Sequence, residues 1–136
     1  AFDELFDAFR PDRNGQPMTL EEVEAAPTVD SGACPATDRE TQVACAIRAL
    51  GSLVGSTVSH ELAHSLGLAD PGGVNFHNHG DAEGSLMDAG GARPFRERAE
   101  VYGTEPGQFC ASEYTYLEQI LPNPDPDPVG GRQPCY

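Results

Sequence analysis

Hydrophobic positions in this 136-residue chain fall mostly at three- and four-residue steps, and few segments alternate with the two-residue period of a strand. Phe2, Leu5, Phe6 and Phe9 recur among Asp3, Glu4 and Asp7, the pattern of a short amphipathic helix ended before Pro11. Residues 10–36 are broken by Pro11, Asn14-Gly15, Pro17, Pro27, Gly32 and Pro35, and only Thr19 to Ala25 reads as helical. Thr37-Asp38-Arg39-Glu40 fits a capping box, and Val43, Ile47, Leu50, Val54 and Val58 carry the helical period onward. One long helix is therefore expected over about residues 38–66. Gly51 and Gly55 interrupt it at up to ~1 kcal/mol each relative to Ala, which points to close approach of another backbone or a local bend.

Beyond this helix the chain is irregular and rich in Gly and Asn from Asp70 to Gly91. Ser112 can cap a last helix in which Tyr116 or Leu117, Ile120 and Leu121 face the core, with Pro122 ending it. Val74 to Phe76 and Ala99 to Tyr102 could each add a short strand. Asn123-Pro124-Asp125-Pro126-Asp127-Pro128 should be extended. The expectation is one domain over residues 1–136, mainly α with long loops, becoming α+β if the short strands form. Within it, residues 1–37 are loop-rich, 38–91 carry the long helix and the chemistry, and 92–136 hold the last helix and the Pro-rich tail.

The charge narrows the partners. Twenty-two acidic against eight basic residues give a net charge of -14, which repels phosphate backbones and anionic lipid headgroups, so nucleic acid and membrane surfaces are unsuitable. The longest apolar stretch, Val43 to Val58, is too short for a bilayer span and carries Arg48. The acidity leaves calcium as a thinly supported ligand, since dispersed carboxylates ordinarily form a solvated surface. Cys34, Cys45, Cys110 and Cys135 contain no Cys-x-x-Cys pair, so two disulfides are the simpler reading, Cys34 with Cys45 and Cys110 with Cys135, each closing a short loop. Disulfides imply an extracellular or periplasmic setting. The chain opens at Ala1 with no basic, apolar and small-residue leader, which reads as a mature or excised form.

The chemistry concentrates in His60-Glu61-Leu62-Ala63-His64-Ser65-Leu66-Gly67-Leu68-Ala69-Asp70. Residues i and i+4 share one helix face, so His60 and His64 can aim ring nitrogens at one zinc ion, with Glu61 beside it as general base. Gly67 can end the helix in a left-handed conformation and turn the chain so that Asp70 supplies a third ligand. His77 and His79 are alternative ligands, or contacts to the transition state, from the following loop. Met87, in Gly84-Ser85-Leu86-Met87-Asp88, reads either as core filler or as a turn beneath the metal.

These residues resemble the metzincin zinc endopeptidases, whose pattern is His-Glu-x-x-His-x-x-Gly-x-x-His followed by a Met-turn. With Asp70 in the last position, the sequence is most similar to the snapalysin-like variant. The resemblance covers about residues 43–96. It implies a zincin-like active-site helix plus a C-terminal helix, with the usual N-terminal sheet reduced or missing. It further implies zinc on His60, His64 and Asp70, Glu61 as general base, Met87 in the Met-turn, and a protein or peptide substrate. Two other readings stay open: a non-catalytic, metal-stabilised binding or structural module, and a piece of a larger protease whose N-terminal subdomain associates non-covalently.

Overall fold

A computed structural model describes residues 18–34, 36–68, 77–78, 82–122 and 134. Helix accounts for 53% and bridge-paired residues for 4%, with no sheet among the described residues, so the mainly α expectation holds. The elements are α1 (Leu20–Ala25), a 3-10 turn (Ser31–Ala33), α2 (Arg39–Ser65), α3 (Phe95–Arg98) and α4 (Ala111–Ile120). None of these helices is long and apolar enough to cross a membrane. The expected helix at Phe2 to Phe9, the strand at Val74 to Phe76 and the extended tail at 123–128 lie outside the described residues. The chain separates into two compact units: Ala1–Gly55 with Pro94–Pro106, and Ser56–Arg93 with Gly107–Tyr136.

In the first unit, α1 opens on a capping box: Thr19 Oγ1 accepts from Glu22 N (3.2 Å), while Glu22 Oε2 accepts from Thr19 N (2.8 Å). Glu22 also takes Arg39 in a two-pronged ion pair, 2.8 Å from Nε and 2.9 Å from Nη2. This guanidinium, first among several causes, holds the Glu22 carboxyl down at about 2. The start of α2 differs by one residue from the expected box. Asp38, not Thr37, is the cap, its carboxylate accepting from Thr41 N at 2.9 Å.

Cys34 and Cys45 form the expected disulfide and pack with Ala49, Ala99 and Val101 as a small core, flanked by Val29, Ala36, Leu53 and Phe95. Small side chains let the 3-10 turn and the residues after α3 approach α2 closely. Of the apolar series that marked α2, Val43 is buried at 1% exposure, but the positions after it are not. Ala46 and Ala49 are 0% exposed, whereas Ile47, Leu50, Val54, Val58 and Leu62 range from 39% to 58%. Nor do Gly51 and Gly55 mark a close approach, because a Cβ on either would meet nothing within 4 Å.

The expected strand at Ala99 to Tyr102 is a helix end and turn. Glu100 N bonds Glu97 O and Val101 N bonds Arg96 O, closing α3 with Glu100 in the left-handed region at φ 50°. That conformation costs a non-glycine residue about 1 kcal/mol. It is held by Arg48, which donates to Glu100 O (3.0 Å), Glu100 Oε2 (3.2 Å) and Val29 O (3.0 Å).

In the second unit, α4 begins two residues earlier than expected from Ser112. Its cap is Cys110, whose backbone N–H donates to Glu113 Oε2 at 2.8 Å. Leu117 is its buried apolar residue, while Tyr116, Ile120 and Leu121 stay more than a third exposed. Cys110 is disulfide-bonded; its expected partner, Cys135, lies outside the described residues. Ala63, Leu68, Met87 and Leu117 form this unit's apolar core, with Leu66 and Phe109 against it.

Candidate metal centre

The end of α2 sets the first part of the site. Leu68 N bonds Ala63 O and Gly67 N bonds His64 O, both at 3.0 Å, and Gly67 has φ 94°. This is the two-bond helix closure expected of a left-handed glycine, and the Ala63–Leu68 contact that accompanies it belongs to the core. Tyr116 guards the turn by donating its hydroxyl to Leu66 O at 3.0 Å.

The closure has a chemical consequence. It brings Leu68 O to 3.1 Å from His64 Nδ1, while Leu86 O lies 2.8 Å from His60 Nδ1. A carbonyl only accepts, so each Nδ1 carries the proton and each Nε2 presents its lone pair. The two Nε2 atoms stand 3.0 Å apart. Two lone pairs at that distance require a shared proton or a cation between them. Two nitrogens on a tetrahedral zinc with bonds of ~2.05 Å would stand roughly 3.3 Å apart, so a small adjustment accommodates the ion.

His77 completes the group. Its ring stacks on His60 (centroids 5.2 Å, interplanar angle 19°) and meets His64 edge-on (5.1 Å). One ligand atom from each of the three rings lies within 4.8 Å of the others. Burial, and after it the charges of His60 and His64, pushes the His77 imidazole below its usual range, opposed by the charge of Glu61. The site thus favours a neutral His77, the form that binds metals. His60 is buried, His64 and His77 are half-buried, and Glu61 is exposed beside them. Asp70 and His79 lie outside the described residues.

Met87 is buried in the cluster that includes Ala63, on the helix turn between His60 and His64. Its neighbour Leu86 supplies the carbonyl for His60, so the 84–88 turn serves the site through its backbone. That turn is fixed by Ser85 N to Ala82 O (2.9 Å), Leu86 N to Gln108 O (2.9 Å) and Gln108 N to Gly84 O (2.8 Å). Gly84 takes φ 83° there.

A buried polar network unforeseen from sequence adjoins this turn. Asn78 donates its amide to Glu113 Oε1 (2.7 Å) and Ser85 Oγ (3.2 Å), and its backbone N–H to Met87 O (3.2 Å). Burial raises the Glu113 carboxyl above its usual range, against the lowering effect of Cys110 N and Asn78. Buried Asp88 accepts Ala82 N at 2.8 Å. The Glu at the third position after Cys110 was the available signal, obscured because cysteine is not a usual cap.

Among the described residues, the three histidines are the one group of metal-ligating side chains so gathered, and acidic residues form no such cluster for calcium. No family model, curated protein or solved structure matches this chain.

Proposed function

We propose that the protein is a zinc-dependent endopeptidase, with His60, His64 and His77 as ligands and Glu61 as general base. The observation that carries this reading is the convergence of three imidazoles, two of them fixed as Nδ1–H tautomers by Leu86 O and Leu68 O. Neutral nitrogen donors at this spacing suit zinc, and three protein ligands leave a position for water. A zinc ion bound there would supply Lewis acidity, lowering the pKa of a water and polarising a peptide carbonyl. Glu61, exposed and adjacent to His60, is available to take the proton from the attacking water and return it to the leaving amine. His60 and His64 keep their tautomers throughout because their Nδ1 protons are committed to carbonyls.

His77 is taken as the third donor because its ring meets both of the others; Asp70, the third ligand expected from the motif, lies outside the described residues. The zincin-like reading rests on the motif together with the Gly67 closure and the 84–88 turn. The Cys34–Cys45 disulfide supports an extracellular or periplasmic setting.

Hydrolysis of a generic unfolded protein by the zinc-loaded chain tests the activity. Glu61→Gln should lower turnover by roughly 10³-fold, within the span of general-base contributions, while bound zinc stays stoichiometric. Undiminished hydrolysis in Glu61→Gln would remove Glu61 from the mechanism. Stoichiometric zinc without hydrolysis in the wild type would leave a metal-stabilised module in place of the enzyme.

A further inference from the structure

His60 and His64 are each oriented by a carbonyl on Nδ1, but among the described residues none performs this service for His77. Its ring touches those of His60 and His64, and its backbone runs directly into Asn78. The next residue, Asn78, is buried and tied at three points: its N–H to Met87 O, and its amide to Ser85 Oγ and Glu113 Oε1. The shortest of these bonds, at 2.7 Å, joins the amide to a carboxylate, and charge-assisted bonds are roughly twice as strong as neutral ones.

Glu113 is itself rigidly placed. It is 2% exposed, it occupies the first turn of α4 where the helix end favours negative charge, and its second oxygen accepts Cys110 N at 2.8 Å. A carboxylate buried at such cost, bonded through one amide to the residue beside a ligand, has the placement of a group that orients a metal site from outside the ligand shell.

We infer that Glu113 is a positioning residue for the metal centre: through Asn78 it fixes the backbone that presents His77 to the ion. The inference rests on the three-histidine reading of the site. It predicts that Glu113 and Asn78 act on metal affinity chiefly by way of His77, with a smaller share through the 84–88 turn that presents Leu86 O to His60.

The test measures zinc affinity, by competition with a chromophoric chelator, for the full chain and for Glu113→Gln, Asn78→Ala, His77→Ala and the doubles with His77→Ala. Glu113→Gln keeps the side-chain volume, and Asn78→Ala provides the same comparison if the glutamine variant folds poorly. Each of these two should weaken zinc binding by about tenfold, at the low end for groups that support metal ligands. In the His77→Ala background either change should add less than about twofold, because the ring it positions is gone. Cobalt-loaded Glu113→Gln should show the same direction of change in its visible spectrum as cobalt-loaded His77→Ala.

A full tenfold loss persisting without His77, or wild-type affinity in both single variants, would overturn the inference while leaving a zinc-binding wild type intact. A wild type that binds no zinc, or a His77→Ala variant with unaltered affinity, would instead overturn the three-histidine reading and this inference with it.

Discussion

The two units solve the problem of a small core in different ways. The first gathers Cys34, Cys45, Ala49, Ala99 and Val101, small side chains closed by a disulfide, and holds its loops with the guanidinium groups of Arg39 and Arg48. The second has a core of Ala63, Leu68, Met87 and Leu117, and beside it buries His60, Asn78, Ser85, Asp88, Arg93 and Glu113, against the single buried polar residue Glu97 among the described residues of the first. Burying polar groups costs free energy unless each finds a partner, so the second unit spends stability on position. Among its hydrogen bonds are those of His60 and His64 to Leu86 O and Leu68 O, and those from Asn78, beside His77, to Ser85 and Glu113. The Cys34–Cys45 disulfide lies inside the first unit's apolar core, whereas in the second, where Cys110 is also disulfide-bonded, directed hydrogen bonds surround the three rings.

That contrast breaks most sharply at the disulfide. Replacing Cys34 and Cys45 with Ser opens a loop whose closure contributes ~3 kcal/mol on chain-entropy grounds. Urea denaturation should register a loss of that order, while zinc affinity of the folded chain stays within about twofold because the ligands belong to the other unit. A large fall in affinity of the folded double variant would show that the division of labour is false.

A smaller effect is expected at Gly67. An alanine there would be strained at φ 94° by about 1 kcal/mol or more, and its Cβ would lie 2.6 Å from Tyr116 Oη. Gly67→Ala should therefore lose roughly 2 kcal/mol in denaturation and also weaken zinc binding, since Leu68 O orients His64 through the same turn. Adding Tyr116→Phe should recover part of the stability by removing the obstructing hydroxyl. A variant that lost stability but kept its affinity would detach the helix closure from the metal site.

The smallest effect concerns pH in the first unit. The Glu22 carboxyl is held at about 2 against an ordinary 4.5, chiefly by Arg39. Because the folded value is the lower one, its stabilising contribution is present above 4.5 and is lost as pH falls toward 2. In Arg39→Ala the Glu22 side-chain carbon resonance should titrate closer to 4.5, with little change in neutral-pH stability, as is usual for exposed ion pairs. A Glu22 midpoint unmoved by that substitution would assign the shift to the Thr19 cap. The Glu113 carboxyl runs the opposite way, its burial favouring the protonated form, so its contribution falls as pH rises through its folded value.

Local signals carried much of this structure. The three- and four-residue steps announced α2, and its observed span, Arg39–Ser65, stays within a residue of the expected bounds. Thr19 to Ala25, the Cys34–Cys45 pairing and the left-handed Gly67 were all legible, because capping, loop closure and a positive φ each depend on neighbours within about a dozen residues. His60 and His64 share a face for the same reason.

What periodicity could not reveal was which side of α2 is buried. Ile47, Leu50, Val54 and Val58 keep the helical step yet are exposed, and the buried side follows Ala46 and Ala49 because the disulfide and the α3 turn press close there. Ser112 and the strand at Ala99 to Tyr102 were misread for a related reason: Cys110 caps through its backbone N–H to Glu113, and Glu100 turns the chain under the hold of Arg48, 52 residues away. Local order along the chain was enough for the helix, its stop and two imidazoles on one face. The Leu68 O bond to His64 spans four residues and follows from the Gly67 stop, but the Leu86 O bond to His60, the arrival of His77 and the reach of Glu113 to Asn78 across 35 residues belong to tertiary packing, since no local rule registers a contact between segments so far apart in the chain.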